Sequence, residues 1–214
     1  MFQDRIDAGS RLSSRLHQYK GRHDVIVLAL PRGGVVVGYE IARALHVPLD
    51  VLIVRKLGFP GQAELAVGAV AETGTVVLNE DIVAAGRVSE DFLRREIDHQ
   101  KEEIARRVSL YRSGKGLPGL DRTTAILVDD GVATGATIKT AILALKDKKA
   151  AKLVVALPVG PPETVGALRQ MVDDVICLET PSDFMSVGAH YLDFTQVPDD
   201  EVMNLLRKSV AKVA

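Results

Sequence analysis

Residues 123–137 read Thr-Thr-Ala-Ile-Leu-Val-Asp-Asp-Gly-Val-Ala-Thr-Gly-Ala-Thr, and no other stretch restricts the fold of this chain as tightly. An apolar run, Ala125 to Val128, stops at two carboxylates, Asp129 and Asp130. A short run bounded in this way reads as a strand covered on both faces. The Gly- and Thr-rich turn leads into Ile138, Ala141, Ile142 and Leu145, which recur at helical spacing. Strand, acidic turn and helix in that order form a βα unit. A helix start presents free backbone N–H groups and partial positive charge, which suit a phosphate. Thr134 and Thr137 add hydroxyl donors, and adjacent carboxylates can accept from sugar hydroxyls. A plain βα turn capped by Asp and Thr also accounts for an Asp-Gly pair. The second acid and the Ala-Thr-Gly-x-Thr tail exceed what a cap requires.

The rest of the chain supplies partners for that unit. Val25 to Leu30 reads as a buried strand, Val35 to Leu45 as a helix and Val51 to Val54 as a second strand, which together make a right-handed βαβ unit. Asp4 to Tyr19 predicts an amphipathic helix with Ile6, Leu12, Leu16 and Tyr19 inward. Leu65 to Ala71 and Thr75 to Leu78 are placed to pair as a hairpin. Ser89 caps a long charged helix to Tyr111, striped by Leu93, Ile97, Ile104 and Val108. Leu153 to Leu157 and Val175 to Leu178 read as strands around a helix opened by Pro161 and Pro162. Residues 181–198 are irregular, and Glu201 to Ala211 reads as a terminal helix. This alternation predicts an α/β fold, a doubly wound and mainly parallel sheet flanked by helices, as one domain over residues 1–214.

Composition narrows the function classes. A formal charge of −1 provides no basic field for nucleic acid, and 4% aromatic residues without Trp supply few stacking platforms for single strands. Cys177, the lone cysteine, sits in an apolar run and reads as a strand residue. The N-terminus shows no basic region followed by an apolar stretch, and no apolar run reaches membrane-span length. A cytoplasmic protein with neither membrane nor nucleic-acid partners is the expectation.

Two further motifs carry positive charge. Pro31-Arg32-Gly33-Gly34 follows the first strand; its glycines let backbone N–H groups approach an anion, and Arg32 offers a planar fork for phosphate oxygens. A tight turn with a solvated Arg accounts for it equally well. Arg55-Lys56 follows the second strand, where the carboxyl end faces the ligand crevice of α/β sheets. Solvated end-of-strand charges are the plain alternative. The histidines, His17, His23, His46, His99 and His190, are scattered and form no catalytic or metal-binding pattern.

Val128 to Thr137 resembles the phosphoribosyl-pyrophosphate (PRPP) signature of type I phosphoribosyltransferases, and with the two basic motifs the likeness extends over about residues 25 to 195. The resemblance implies that Asp129 and Asp130 hold the ribose 2- and 3-hydroxyls. It implies that Gly131, Val132, Ala133, Thr134, Gly135, Ala136 and Thr137 wrap the 5-phosphate, and that Arg32, Gly33 and Gly34 bind pyrophosphate. Val-Arg-Lys-Leu-Gly-Phe-Pro-Gly is similar to a segment of adenine phosphoribosyltransferases, which places Arg55 and Lys56 near the pyrophosphate. A mobile segment from Gly58 onward would close the site; which of Lys101, Arg106, Arg107 or Arg112 reaches the ligand stays open. Mg²⁺ is the implied cofactor, held mainly by ligand oxygens, with Asp129 and Asp130 touching its water shell.

The implied partners are PRPP and a nitrogenous base, with Asp129, Asp130, Arg32 and Lys56 as the catalytic set and a homodimer expected by analogy. A small hood from about residues 181–198 plus the N-terminal segment is expected. Within it Phe184 or Tyr191 could stack on the base, or simply pack under the C-terminal lobe. Ala133 stands where hypoxanthine-guanine enzymes carry an acid and where adenine and orotate enzymes carry a small residue, yet residues 184–194 are closer to the hood of 6-oxopurine enzymes. The acceptor signals conflict. A PRPP-sensing regulator of the same fold is the alternative, less favoured because Arg32 and Arg55-Lys56 are retained. A dinucleotide-binding domain fails for want of Gly-x-Gly-x-x-Gly.

Overall fold

The computed structural model describes residues 1–213, apart from the side chains of residues 63, 64 and 210–213; Ala214 lies outside the described residues. In chain order the elements are α1 (Arg5–Arg15), β1 (Val25–Ala29), α2 (Gly33–Leu45), β2 (Leu49–Val51), β3 (Val54–Phe59), β4 (Gln62–Ala71), β5 (Val76–Leu78), α3 (Glu80–Ala85), α4 (Glu90–Arg112), β6 (Thr124–Val128), α5 (Ala136–Asp147), β7 (Lys152–Val159), α6 (Pro162–Arg169), β8 (Asp174–Glu179) and α7 (Asp199–Val213).

A five-stranded sheet has the order β2-β1-β6-β7-β8, and every neighbouring pair is parallel. The chain winds outward from β1 to β2 on one side and from β6 through β7 to β8 on the other. The expected doubly wound sheet is therefore present, with its switch point between the carboxyl ends of β1 and β6. In open α/β sheets the ligand crevice lies there. Ala29 pairs with Val128, and the Leu30 N–H donates to the Val128 carbonyl at 2.9 Å, so the segments after both strands leave the sheet side by side.

Helices cover both faces, which explains the continuous apolar runs. Val27, Ala29, Ile126 and Val128 join α2 residues such as Val37 and Ile41 in one core; Leu28, Leu127 and Val155 join Ile138 and Leu145 of α5 in the other. Helix α1 lies on α2, where a Cβ on Gly9 would come within 2.7 Å of the Glu40 Cβ. Asp4 caps α1 by accepting the Asp7 N–H at 2.8 Å. That start turns Arg5, Ala8 and Leu12 inward and leaves Ile6 exposed, contrary to the stripe expected from the sequence. Leu16 and Tyr19 are buried as expected.

A second correction concerns residues 51–54. The apolar run is not one strand: β2 ends at Val51, and Val54 begins a separate three-stranded antiparallel sheet, β3-β4-β5. Hydrophobicity is continuous across the change because Leu52 and Ile53 are fully buried between the two sheets. Arg55 and Lys56 thus lie inside β3, not at the end of a parallel strand. The expected hairpin is present as β4 with β5. Helix α3, capped by Asn79, has no counterpart in the sequence reading. Residues 181–198 run back to the N-terminus, where Phe2 bridges Tyr191 and the Phe2 N–H donates to the His190 carbonyl at 2.8 Å. No helix among the described residues is long and apolar enough to cross a membrane.

Ile126 is fully buried in the central strand β6. Ile126→Ala removes packed side-chain volume and should cost roughly 2–5 kcal/mol in urea unfolding. A loss below about 1 kcal/mol would contradict this packing.

Candidate functional site

At the switch point the loops after β1 and β6 meet. The Pro31–Arg32 peptide is cis, and α2 begins directly afterwards at Gly33. A Cβ on Gly33 would overlap Asp130 Oδ2, and one on Gly34 would sit 3.0 Å from Asp129 Oδ1. The glycines are needed because the backbone of this turn packs against the acidic pair itself.

The acids are held unequally. Asp129 Oδ1 accepts the Asp130 N–H at 2.9 Å. Burial first, and then the like charge of Asp130, push the Asp129 carboxyl well above the usual carboxylate range, against the opposing pull of Lys56. Asp130 is ion-paired: Arg5 Nε donates to its Oδ2 at 2.7 Å, Arg5 Nη1 donates to the Thr195 carbonyl at 2.9 Å, and the guanidinium lies 3.9 Å from the centre of the Phe194 ring. The Tyr191 hydroxyl donates to the Asp130 carbonyl at 2.6 Å. Burial, with the negative charge of Asp130 next, raises the pKa of that phenol.

The loop beyond the acids is pinned from outside. The Val132 N–H donates to the Val159 carbonyl at 2.9 Å, and Thr164 Oγ1 donates to the Ala133 carbonyl at 2.8 Å. Gly135, at φ +80°, turns the chain into α5 in a conformation side chains resist. Its carbonyl accepts the Lys139 N–H, so the N–H groups of Ala136, Thr137 and Ile138 have no acceptor within the helix. They open toward a cleft of about 520 Å³ lined by Asp129 and residues 131–138. Arg55 and Lys56 of β3, Glu96 and Gln100 of α4, and Leu30, Pro31 and Val187 complete its walls. Gln100 Oε1 accepts from Arg55 Nε at 2.9 Å, and Gln100 Nε2 donates to Glu96 Oε1 at 3.0 Å. Burial, reinforced by Arg107, lowers the Arg55 pKa.

The structure thus gathers Asp129, Gly131, Val132, Ala133, Thr134, Gly135, Ala136, Thr137, Arg55 and Lys56 around one cleft. Asp130, Gly33 and Gly34 lie directly against this group without lining it. Arg32 points elsewhere: its Nη1 is 3.9 Å from Asp199 Oδ1 at the start of α7. The two rings considered for stacking on a base are also outside the lining. Tyr191 is buried between Phe2 and Phe194, with ring centres 5.3 and 5.0 Å away, and Phe184 stacks on His190 at 5.5 Å. Both rings therefore pack within residues 181–198 and the N-terminal segment, the second of the two readings that the sequence left open, and neither lines the cleft. Of the cations left open on α4, Arg106 and Arg107 are held by Glu103, Arg112 is buried against Glu72, and Lys101 is 3.8 Å from Asp98.

Arg5, Glu96, Gln100 and Val187 were missed from sequence. Gln100 stood in plain view: it falls on the apolar stripe between Ile97 and Ile104, where a polar residue requires a partner. Arg5 gave no such signal, because its partner Asp130 lies 125 residues away along the chain.

Two outcomes follow from this geometry. Gly33→Ala forces the Asp130 carboxylate off Arg5 and should cost about 1–3 kcal/mol in chemical unfolding; an unchanged midpoint would show that the loops do not touch. Because the folded Asp129 pKa lies above its unfolded value of about 3.9, the folded state binds the extra proton, and its stability falls as pH rises between the two. Asp129→Asn removes that loss, so the variant should gain stability over the wild type as pH increases through this window. A pH-independent difference in parallel urea titrations would exclude the raised value.

Comparison with known proteins places this geometry in a family. The phosphoribosyl transferase domain model matches residues 2–194. Proteins from two Mycobacterium tuberculosis strains, CDC 1551 and H37Rv, each carrying the provisional name phosphoribosyl transferase, are 44% identical over 209 residues. The match covers 98% of this chain and 47% of each relative, so the chain spans about half the length of the curated relatives it matches. The crystal structure of TT1426 from Thermus thermophilus is 40% identical, covers 97% of this chain and 98% of that one, and superposes with a TM-score of 0.79. A purine phosphoribosyltransferase from Pyrococcus horikoshii, 18% identical with 90% of each chain covered, shares the fold at a TM-score of 0.50. With its switch-point loops, its parallel sheet and a family match across nearly all its length, the chain belongs to the phosphoribosyl transferase domain family.

Proposed function

We propose that the chain transfers the 5-phosphoribosyl group of PRPP to a ring nitrogen of a base and releases pyrophosphate. One observation carries this reading: the acidic pair, the amide-rich loop 131–137 and the Arg55-Lys56 pair converge at one switch point. A ligand with a phosphate at one end, vicinal hydroxyls in the middle and a pyrophosphate at the other meets each of these groups in turn.

In this reading Asp129 and Asp130 accept from the ribose hydroxyls. The loop amides and the hydroxyls of Thr134 and Thr137 hold the 5-phosphate. Gly33 and Gly34 keep the 31–34 turn close, while Arg55, Lys56 and a reoriented Arg32 balance the pyrophosphate charge; the 3.9 Å contact with Asp199 is loose enough to release Arg32. Arg5 is a positioning residue that holds and orients the Asp130 carboxylate. Helix α4, whose Glu96 and Gln100 form one wall, screens the reacting carbon from water. Tyr191 supports the acidic turn from below, and a base would pack against the aliphatic surfaces of Leu30, Pro31 and Val187. The residues 181–198 and the N-terminal segment make up the hood of this domain.

Mg²⁺ fits this site only as a partner of the ligand. Among the described residues no group of three or more His, Cys, Asp or Glu is placed to hold a metal, and each acid already has one oxygen engaged. That donor set suits an ion held mainly by PRPP oxygens and water, with Asp129 and Asp130 touching its water shell. Bound there, Mg²⁺ would offset charge developing on the leaving pyrophosphate.

The test is pyrophosphate release from PRPP and Mg²⁺ over a panel of purine and pyrimidine bases. Activity with a particular base is the expected result. Asp130→Asn should lower PRPP affinity about tenfold or more, because it removes a charged acceptor. Binding without release for every base would favour the sensing role instead, and no binding would end both readings.

A further inference from the structure

A second cleft, of about 630 Å³, opens between the last turn of α4, the edge strand β2 and α7. It shares no lining residue with the cleft at the switch point. Leu49, Leu110, Pro118, Met203 and Leu206 give it an apolar floor and walls. Arg112, Lys115, Arg207 and Asp50 supply the charge.

Arg112 is the unusual member. Its side chain is only 7% exposed, one Nη is bound by Glu72, and Nε lies 3.9 Å from Asp50 Oδ1. Among the described residues, Arg112 Nε and Nη1 are the buried side-chain nitrogen or oxygen atoms without a hydrogen-bond partner. Buried donors of that kind are rare, and the deficit is sharper on a permanently charged group. Glu72 cannot make it good, because its other carboxylate oxygen accepts the Ile53 N–H at 2.8 Å. Charges do not cancel either: Arg112, Lys115 and Arg207 face Asp50 and Glu72, which leaves one positive charge over. A small concave site with apolar walls and a few convergent polar groups is the usual form of a ligand pocket.

We propose that this cleft binds an amphiphilic anion. Its carboxylate or phosphate head accepts from Arg112, with Lys115 and Arg207 at the rim, and its aliphatic body lies on Leu110, Met203 and Leu206. The site does not depend on the transferase reading.

The full chain labelled with ¹³C-methyl methionine provides the test. Octanoate and octyl phosphate are titrated separately, with inorganic phosphate as a head-only control. The expected result is a saturable shift of the Met203 methyl, with Met1, Met171 and Met185 as unmoved references. The stronger of the two amphiphiles identifies the head group, and phosphate alone should bind more weakly than either. Arg112→Met should weaken binding about tenfold or more. If that variant fails to fold because Glu72 loses its partner, Leu110→Trp decides the matter, since it fills the cleft from a partly exposed position. It should abolish the shift while leaving the circular dichroism spectrum unchanged. No saturable Met203 shift with either amphiphile, or wild-type binding in the folded variants, would overturn the proposal.

Discussion

The close approach of the 31–34 turn to Asp129 and Asp130 constrains everything else at the candidate site. Two loops leave adjacent parallel strands at the same level, and their backbones come together because Gly33 and Gly34 carry no side chain. That contact sets how far apart the 31–34 turn and the acidic pair can be. It depends in turn on the β1–β6 pairing, whose five-residue register brings Ala29 opposite Val128. Sheet register and loop spacing are here one quantity, since a slip of one residue would turn the acids to the opposite face.

Packing backbone against carboxylates has an electrostatic consequence. Two like charges sit together in a partly desolvated place, and the fold treats them differently. Asp130 receives Arg5, which is also clamped by the Thr195 carbonyl and the Phe194 ring, while Asp129 keeps only an amide partner and the more distant Lys56. The resulting asymmetry makes Asp129 the member whose charged form the fold disfavours. The residues that support it come from both chain ends, since Arg5 and Tyr191 meet the acids from the N-terminal helix and the irregular tail.

Much of the fold was legible because parallel strands buried on both faces give continuous apolar runs, and helices between them give a 3.6-residue period. β1, α2, α4, β6, α5, β7 and β8 all fall where those patterns put them. Legibility failed where one pattern spans two structures. Val51 to Val54 is uniformly apolar, so nothing in its periodicity marks the passage from the parallel sheet to the antiparallel one. It failed again at Arg5 and Ile6, where hydrophobicity favours burying Ile6, but an ion pair formed 125 residues away along the chain draws Arg5 inward.

The sequence alone determined which chemical groups the switch-point loops carry, because the acidic pair, the paired glycines and the Thr-rich turn lie within short contiguous motifs. Tertiary structure decided which side chains those motifs meet: Arg5 on Asp130, Gln100 on Arg55, Asp199 near Arg32, and Phe2 and Phe194 around Tyr191. Each of these except the Tyr191–Phe194 contact joins segments distant in sequence. Its formation depends on helix rotation, sheet register and desolvation, none of which is encoded in the spacing of any single motif.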